Sequence, residues 1–213
     1  MPPEKPPGLR PILALAALLG LGAVPLAALT TWIAMRAPSA APPVYSTVPE
    51  FRLTAHTERP FGSAELRGHV WIANFIFTRC PTVCPALTAR MAEVQARTEA
   101  LPDLRLVSFS VDPAYDTPPV LAALARQVGA GPRWSFLTGS LDAIRAAVEA
   151  GLKISAGRGP GEEGPVIDPA QVLHGTHFVL VDGEGRIRGY HDVDDEQGFE
   201  ELLAAAKALL AGS

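Results

Sequence analysis

The chain holds two cysteines, Cys80 and Cys84, in the stretch Thr78-Arg79-Cys80-Pro81-Thr82-Val83-Cys84-Pro85. Residues four apart in a helical turn share a face. Two thiols so placed can close a disulfide once the backbone bends, or share one metal ion. The apolar run Val70 to Phe77 before them is rich in β-branched and aromatic residues and reads as a buried strand. Ala86 to Ala100 after them has a helical pattern, with Leu87, Met91, Val94 and Leu101 on one side. The cysteines therefore fall where a central strand turns into a helix. The positive end of a helix dipole lowers a thiol pKa and favours thiolate, the form that attacks disulfides and binds metals. Pro81 and Pro85 stiffen the turn and remove only N–H groups that a helix start leaves unpaired.

Three chemistries are open to such a pair. A structural disulfide is common in oxidising compartments, but one closing so short a loop stabilises little. A redox pair gains from the helix N-terminus, although thioredoxins have two intervening residues where this chain has three. Two thiolates are also soft ligands that suit Cu(I) or Zn rather than Mg or Ca. They leave room for a third ligand, for which a neutral imidazole is the usual choice. A thiol peroxidase is excluded by pattern: its reactive cysteine follows a Thr by three residues, and here Phe77 and Pro81 hold those positions.

The elements that must position the pair follow from the rest of the chain. Glu50 to Thr54 alternates as a half-buried strand does, and His56 to Gly68 holds a turn and a short helical piece at Ser63 to Leu66. Leu104 to Val111 is a second strand, and Asp112 to Pro119 caps a helix over Val120 to Val128. Trp134 to Leu137 is a short strand, and Ser140 or Asp142 can cap a helix running to about Ala150. Ala156 to Ala170 is a Gly/Pro/acidic loop without a core pattern. Phe178 to Val181, a turn at Asp182 to Gly185, and Arg186 to His191 make a hairpin, and Glu196 to Leu210 is a closing helix.

At the N-terminus, residues 1–10 are proline-rich with Lys5 and Arg10, and residues 11–35 form an apolar segment closed by Arg36. Ile12 to Met35 carries no charge over 24 residues, enough for a bilayer core that needs roughly 20. Cleaved signal peptides have shorter apolar regions, about 7–15 residues, so an uncleaved anchor is expected. Lys5 and Arg10 place the N-terminus in the cytoplasm and the remainder outside, in the periplasm of a bacterial inner-membrane protein. Residues 36–48 read as a Pro/Ala-rich tether and residues 49–213 as one globular domain. The net charge is −4, and residues 1–36 carry +2, which leaves −6 for the remainder. An acidic domain without basic clusters argues against nucleic acid as a partner.

Strands alternating with helices, then a hairpin and a final helix, with a cysteine pair at the first central strand-to-helix turn, resemble the thioredoxin fold: an α/β fold with a central mixed sheet flanked by helices. Of the five histidines, His56 and His69 precede the site and read as loop or surface residues. His177 lies in a strand pattern and can point either way, and His191 beside Asp192 reads as solvated. His174 lies just before the strand His177 to Val181. In a thioredoxin-like layout that connection passes over the cysteine turn, and oxidoreductases of that type place a proline there. This chain has none between Ala170 and Val181.

Taken together, these residues resemble the Sco (SenC) family of copper-binding proteins that assist cytochrome c oxidase assembly. The matching pieces are Pro49 to Leu53, Phe77 to Pro85, Ser110 to Pro113 with Asp116-Thr117-Pro118, Leu137-Thr138-Gly139, and His174 with Gly175-Thr176. The resemblance implies one copper ion held by Cys80, Cys84 and His174, with Asp112 near the metal centre. It further implies delivery of copper to the binuclear site of oxidase subunit II, or reduction of that site's cysteines. The chain departs from the family at Gly175, where Ser is expected, and in the loop Ala156 to Ala170. The alternative reading is a periplasmic thiol–disulfide oxidoreductase, not dedicated to copper, in which Cys80 and Cys84 are the catalytic pair.

Overall fold

The computed structural model describes residues 42–79, 83–147 and 177–212. The expected span (residues 11–35), Cys80, His174 and the loop Ala156 to Ala170 lie outside them. Among the described residues no helix is long and apolar enough to cross a membrane.

In chain order the elements are β1 (Ser46–Thr47), β2 (Arg52–Ala55), β3 (Pro60–Gly62), α1 (Ser63–Leu66), β4 (Val70–Ile76), α2 (Val83–Arg97) and β5 (Leu104–Ser110). They continue with α3 (Pro118–Gln127), β6 (Trp134–Thr138), α4 (Leu141–Arg145), β7 (His177–Val181), β8 (Arg186–Asp192) and α5 (Glu196–Ala211). The strands form one sheet in the order β1-β8-β7-β4-β5-β6-β2-β3. β4, β5 and β6 run parallel at its centre, and the remaining pairings are antiparallel.

All seven residues of β4 are buried, as expected of a parallel strand covered on both faces. The pleat divides them. Val70, Ile72 and Ile76 join a core with Leu87, Met91 and Val94 of α2 and Phe199, Leu202 and Leu203 of α5. Trp71, Ala73 and Phe75 join a second core with Leu66 of α1 and Ile144 of α4. Between the central strands, the Trp134 indole donates to Ser108 Oγ (2.9 Å), which donates to Asn74 Oδ1 (2.6 Å). This buried chain ties three strands by side chains as well as by backbone.

Several boundaries differ from the sequence expectation, each for a local reason. Pro60–Gly62 is a strand within the region expected to hold only a turn and a helical piece; as an edge strand it accommodates Pro60, which has no N–H to give the ladder. α2 begins at Val83, ahead of the expected Ala86, and α3 begins at Pro118, because prolines are tolerated in a first turn. For α4, Ser140 is the cap, its hydroxyl accepting from the Ala143 N–H at 3.2 Å.

The tether expected over residues 36–48 does not extend to its stated end. From Pro42 on the chain lies along β8, with Ser46 level with Ile187 and Thr47 with Arg186. A buried ion pair fastens it. Arg188 Nη1 donates to Asp182 Oδ2 (2.7 Å), while its Nε (2.9 Å) and Nη2 donate to the Pro42 carbonyl. Asp182 also accepts from the backbone N–H of Glu184 (3.0 Å) and of Arg186 (2.9 Å), which shapes the β7–β8 turn. Burial pushes its carboxyl pKa up, but hydrogen bonds from Arg188 and Arg186 outweigh this and leave it below its ordinary value.

Two histidines expected at the surface are largely buried. His56 Nδ1 accepts from the Phe136 N–H at 3.2 Å. Burial lowers its pKa, against a smaller opposing effect of the Phe136 backbone. Burial likewise lowers His191, with smaller effects from Glu201 (raising) and His177 (lowering). A histidine whose folded pKa lies below its unfolded one contributes stability above the ordinary value of 6.5. That contribution is lost as pH falls from there through the folded value. The denaturant midpoint should therefore drop between pH 7.5 and pH 5.5, and the His56→Gln/His191→Gln double variant should show a flatter profile. Asp182→Asn breaks a buried pair and should cost about 3 kcal/mol in urea unfolding at pH 7.

Candidate metal centre

β4 ends at Ile76 and points the following residues at the connection between β5 and α3. The Val111 N–H donates to the Ile76 carbonyl at 2.9 Å, carrying the ladder one step past the strand ends. Asp116, fully buried in that connection, receives the next residues. The Thr78 N–H donates to its two oxygens at 3.1 and 3.3 Å, and the Thr78 hydroxyl donates to Oδ1. Ser110 Oγ donates to Oδ2 at 2.6 Å and accepts from the Asp112 N–H at 3.1 Å. The carboxylate thus joins the ends of β4 and β5 to the start of the cysteine turn.

Arg79, adjacent to Cys80 in sequence, is fixed in turn. Its Nε and Nη2 donate to Asp112 Oδ2 at 2.9 and 2.6 Å, and its guanidinium lies 4.7 Å from the centre of the Tyr115 ring. Its hydrogen bond to the Asp112 carboxylate, and that carboxylate's charge, raise the guanidinium pKa above its ordinary value. Asp112, expected near the metal centre, has its carboxylate engaged by Arg79, the residue that precedes Cys80 in sequence.

Cys84 stands in the first turn of α2, partly buried. Its carbonyl accepts from Thr88 Oγ1 at 2.7 Å. It lines a groove of about 380 Å³ between α2 and α3, with Phe77, Thr78, Pro85, Thr88 and Leu124 among its neighbours. The thiol therefore belongs to a helix N-terminus, where the dipole favours thiolate.

The histidines are divided by the sheet. β7 runs antiparallel to β4 in the register Trp71–Val181 and Ala73–Val179, so β7 begins at the end where β4 delivers the cysteine turn. Its first residue, His177, is level with Asp192 of β8. His177, three residues after His174 in sequence, thus stands at the cysteine end of the sheet. His191 lies on β8 at that end, while His69 precedes β4 at the other, its Nε2 3.3 Å from Arg105 Nη2.

Sequence reasoning did not single out Asp116 or Thr78 as parts of the site. Asp116 precedes Thr-Pro at a helix start, the pattern of an exposed cap, and its burial depends on three donors that only the folded sheet assembles. Arg79 stacking on Tyr115 has no signal in spacing.

A mixed sheet with helices on both faces, and a thiol at the first turn after the central strand, define a thioredoxin-like domain. The sequence model of the SCO1/SenC family matches residues 39–211. The SCO1 protein homolog of Bacillus subtilis is 34% identical over 147 residues, covering 67% of this chain and 72% of that one. A putative copper-binding protein of Stutzerimonas stutzeri is 30% identical over 145 residues, covering 67% and 68%. Among solved structures, BsSco, described as a member of the Sco family of cytochrome c oxidase assembly proteins with a disulfide switch, aligns with a TM-score of 0.66 at 28% identity. That alignment covers 81% of this chain and 98% of BsSco. The chain belongs to the SCO1/SenC family.

Removing the Asp116 carboxylate leaves buried donors without an acceptor. Asp116→Ala should destabilise the fold by about 1–3 kcal/mol and should speed hydrogen exchange at the Thr78 amide, measured by NMR. Arg79→Gln breaks a more exposed pair and should leave the urea midpoint nearly unchanged.

Proposed function

We propose that this chain is a membrane-anchored copper-binding protein of cytochrome c oxidase assembly, facing the periplasm, with Cys80, Cys84 and His174 as the ligands of one copper ion. Asp112 acts on the site through Arg79, and the recipient is the binuclear copper site of oxidase subunit II. The observation that carries this reading is convergence on one end of the sheet. Cys84 stands in the first turn of α2 there, Thr78 is latched there by Asp116, and β7, whose first residue His177 follows His174 by three in sequence, begins there. The name of the Stutzerimonas relative and the description of BsSco point the same way.

The donor set fits the metal. Thiolates are soft donors that prefer Cu(I), and a helix N-terminus lowers the cost of their negative charge. An imidazole as third donor also suits Cu(II), so the set can hold either oxidation state.

A second reading is favoured by the position of Cys84 and by the disulfide switch ascribed to BsSco. In it Cys80 and Cys84 reduce a disulfide of the recipient: the pair loses two electrons and two protons to become a disulfide, and the recipient gains them as two thiols. The same residues serve both readings.

Anaerobic titration of the reduced full-length chain in detergent with Cu(I) tests the assignment. The wild type should bind one copper per chain. Cys80→Ser and Cys84→Ser should abolish tight binding, and His174→Ala should weaken it by at least about tenfold, or 1.4 kcal/mol. A folded, reduced wild type that binds no Cu(I) would refute the copper reading and leave the dithiol reductase.

A further inference from the structure

A cavity of about 250 Å³ stands at the start of β4, the opposite end of that strand from the cysteine turn. Its walls come from three separate segments: the chain from Thr47 to Glu50, α1 with Arg67, and the β7–β8 turn at Glu184 and Gly185. Trp71, only 4% exposed, completes the wall. A nearly buried indole usually finds an acceptor for its N–H, as Trp134 does in Ser108 Oγ at 2.9 Å. The Trp71 N–H has no such partner among the described residues, and it is not sealed inside the core. The charges around the cavity are already engaged, Arg67 with Glu50 and Arg186 with Glu184. Ser63 Oγ accepts from the Phe51 N–H at 3.3 Å. One donor is therefore left over in a wall whose other surface, at Leu66 and Val48, is apolar.

We infer that this cavity is a second ligand site, for a small uncharged molecule whose carbonyl oxygen accepts from Trp71 Nε1 and whose apolar body lies against Leu66 and Val48. Three observations select that class. The volume lies just below the roughly 300–1,000 Å³ of sites that take drug-sized ligands, so the occupant is smaller than these. An anion would face the Glu50 and Glu184 carboxylates with one lining guanidinium, itself already paired. A cation would bring no acceptor to the indole. A neutral carbonyl supplies the bond the fold leaves unmade, and a buried donor without an acceptor is costly. The walls are tied together before any ligand arrives. The Val48 N–H donates to the Gly185 carbonyl at 2.8 Å, and the Gly68 N–H to the Gly183 carbonyl at 2.9 Å. Binding to such a preformed site loses little conformational freedom. The site is separate from Cys84, and the inference stands whether or not the chain binds copper.

The test uses acetophenone as the carbonyl probe and cumene, of the same shape without the oxygen, as its control. The full-length chain in detergent, labelled with nitrogen-15 at its tryptophan indoles, would be titrated at free probe concentrations set by equilibrium dialysis. Acetophenone should move the Trp71 Nε1–H resonance downfield and saturate, while the Trp134 resonance, already bonded to Ser108, stays in place. Cumene should produce no downfield movement. Trp71→Phe keeps an apolar ring but removes the donor, and should weaken acetophenone binding by about fivefold or more, the worth of one neutral hydrogen bond. Ligand-observed saturation transfer reads that loss without the indole, and circular dichroism checks that the variant is folded. Cys84→Ser should bind the probe as the wild type does. A Trp71 resonance that does not move would overturn the inference, because the donor is then satisfied by water alone. Equal shifts from cumene, or shifts that grow without saturating, would overturn it as well, since they report apolar partitioning rather than acceptance at Nε1.

Discussion

The Asp116 carboxylate is the interaction on which the cysteine end of this fold depends. A carboxylate without solvent exposure is stable only when its oxygens are occupied, and here the partners come from two strand ends. Ser110 closes β5, and Thr78 follows β4. Because those strands are hydrogen-bonded in parallel register from Val70–Leu104 to Ile76–Ser110, the position of Asp116 is set by the sheet itself. Thr78, two residues before Cys80 in sequence, inherits that position.

The rest of the architecture maintains the conditions for this latch. Parallel strands need cover on both faces, and β4 receives it from α2 and α5 on one side and from α1 and α4 on the other. The helix that covers the first face is the one that carries Cys84, so the packing of Leu87, Met91 and Val94 against the sheet also fixes the thiol's distance from the strand end. At the far edge Asp182 and Arg188 do for the hairpin what Asp116 does for the turn. They use one buried charge pair to hold several backbone groups, including the Pro42 carbonyl that brings the entering chain against β8. Both arrangements cost desolvation and gain a single defined geometry.

Much of this was legible in the sequence because it rests on local pattern. The run from Val70 to Phe77 could only be a buried strand, and the cysteine pair had to stand at its end. The hairpin around Asp182 and Gly185 and the cap at Ser140 depend on residues within a few positions of one another. What was not legible depends on distant residues meeting. The chain is already held against the domain at Pro42, ahead of Pro49, because Arg188, 146 positions away, donates to the Pro42 carbonyl. His191, beside an aspartate at a strand end, had every local mark of a solvated residue, yet its ring is packed against Gly189, where any Cβ would collide with it. Asp116 looked like a cap and is a buried acceptor. For Pro42 and Asp116 the partners lay in distant parts of the chain, which no local pattern reports.

The same distinction bears on how a carrier can hold a metal and still release it. A site deep within either core would bind copper behind Leu, Phe and Trp side chains, and exchange would require unfolding. Cys84 instead stands at the end of a helix whose buried face is rigid and whose first exposed residues are Pro85, Ala86 and Ala89. Rigidity comes from the side facing the sheet, and access comes from the side facing the groove. A fold that fixes Cys84 on a helix packed by Leu87, Met91 and Val94, with Pro85, Ala86 and Ala89 exposed beside it, combines a rigid position with access from solvent.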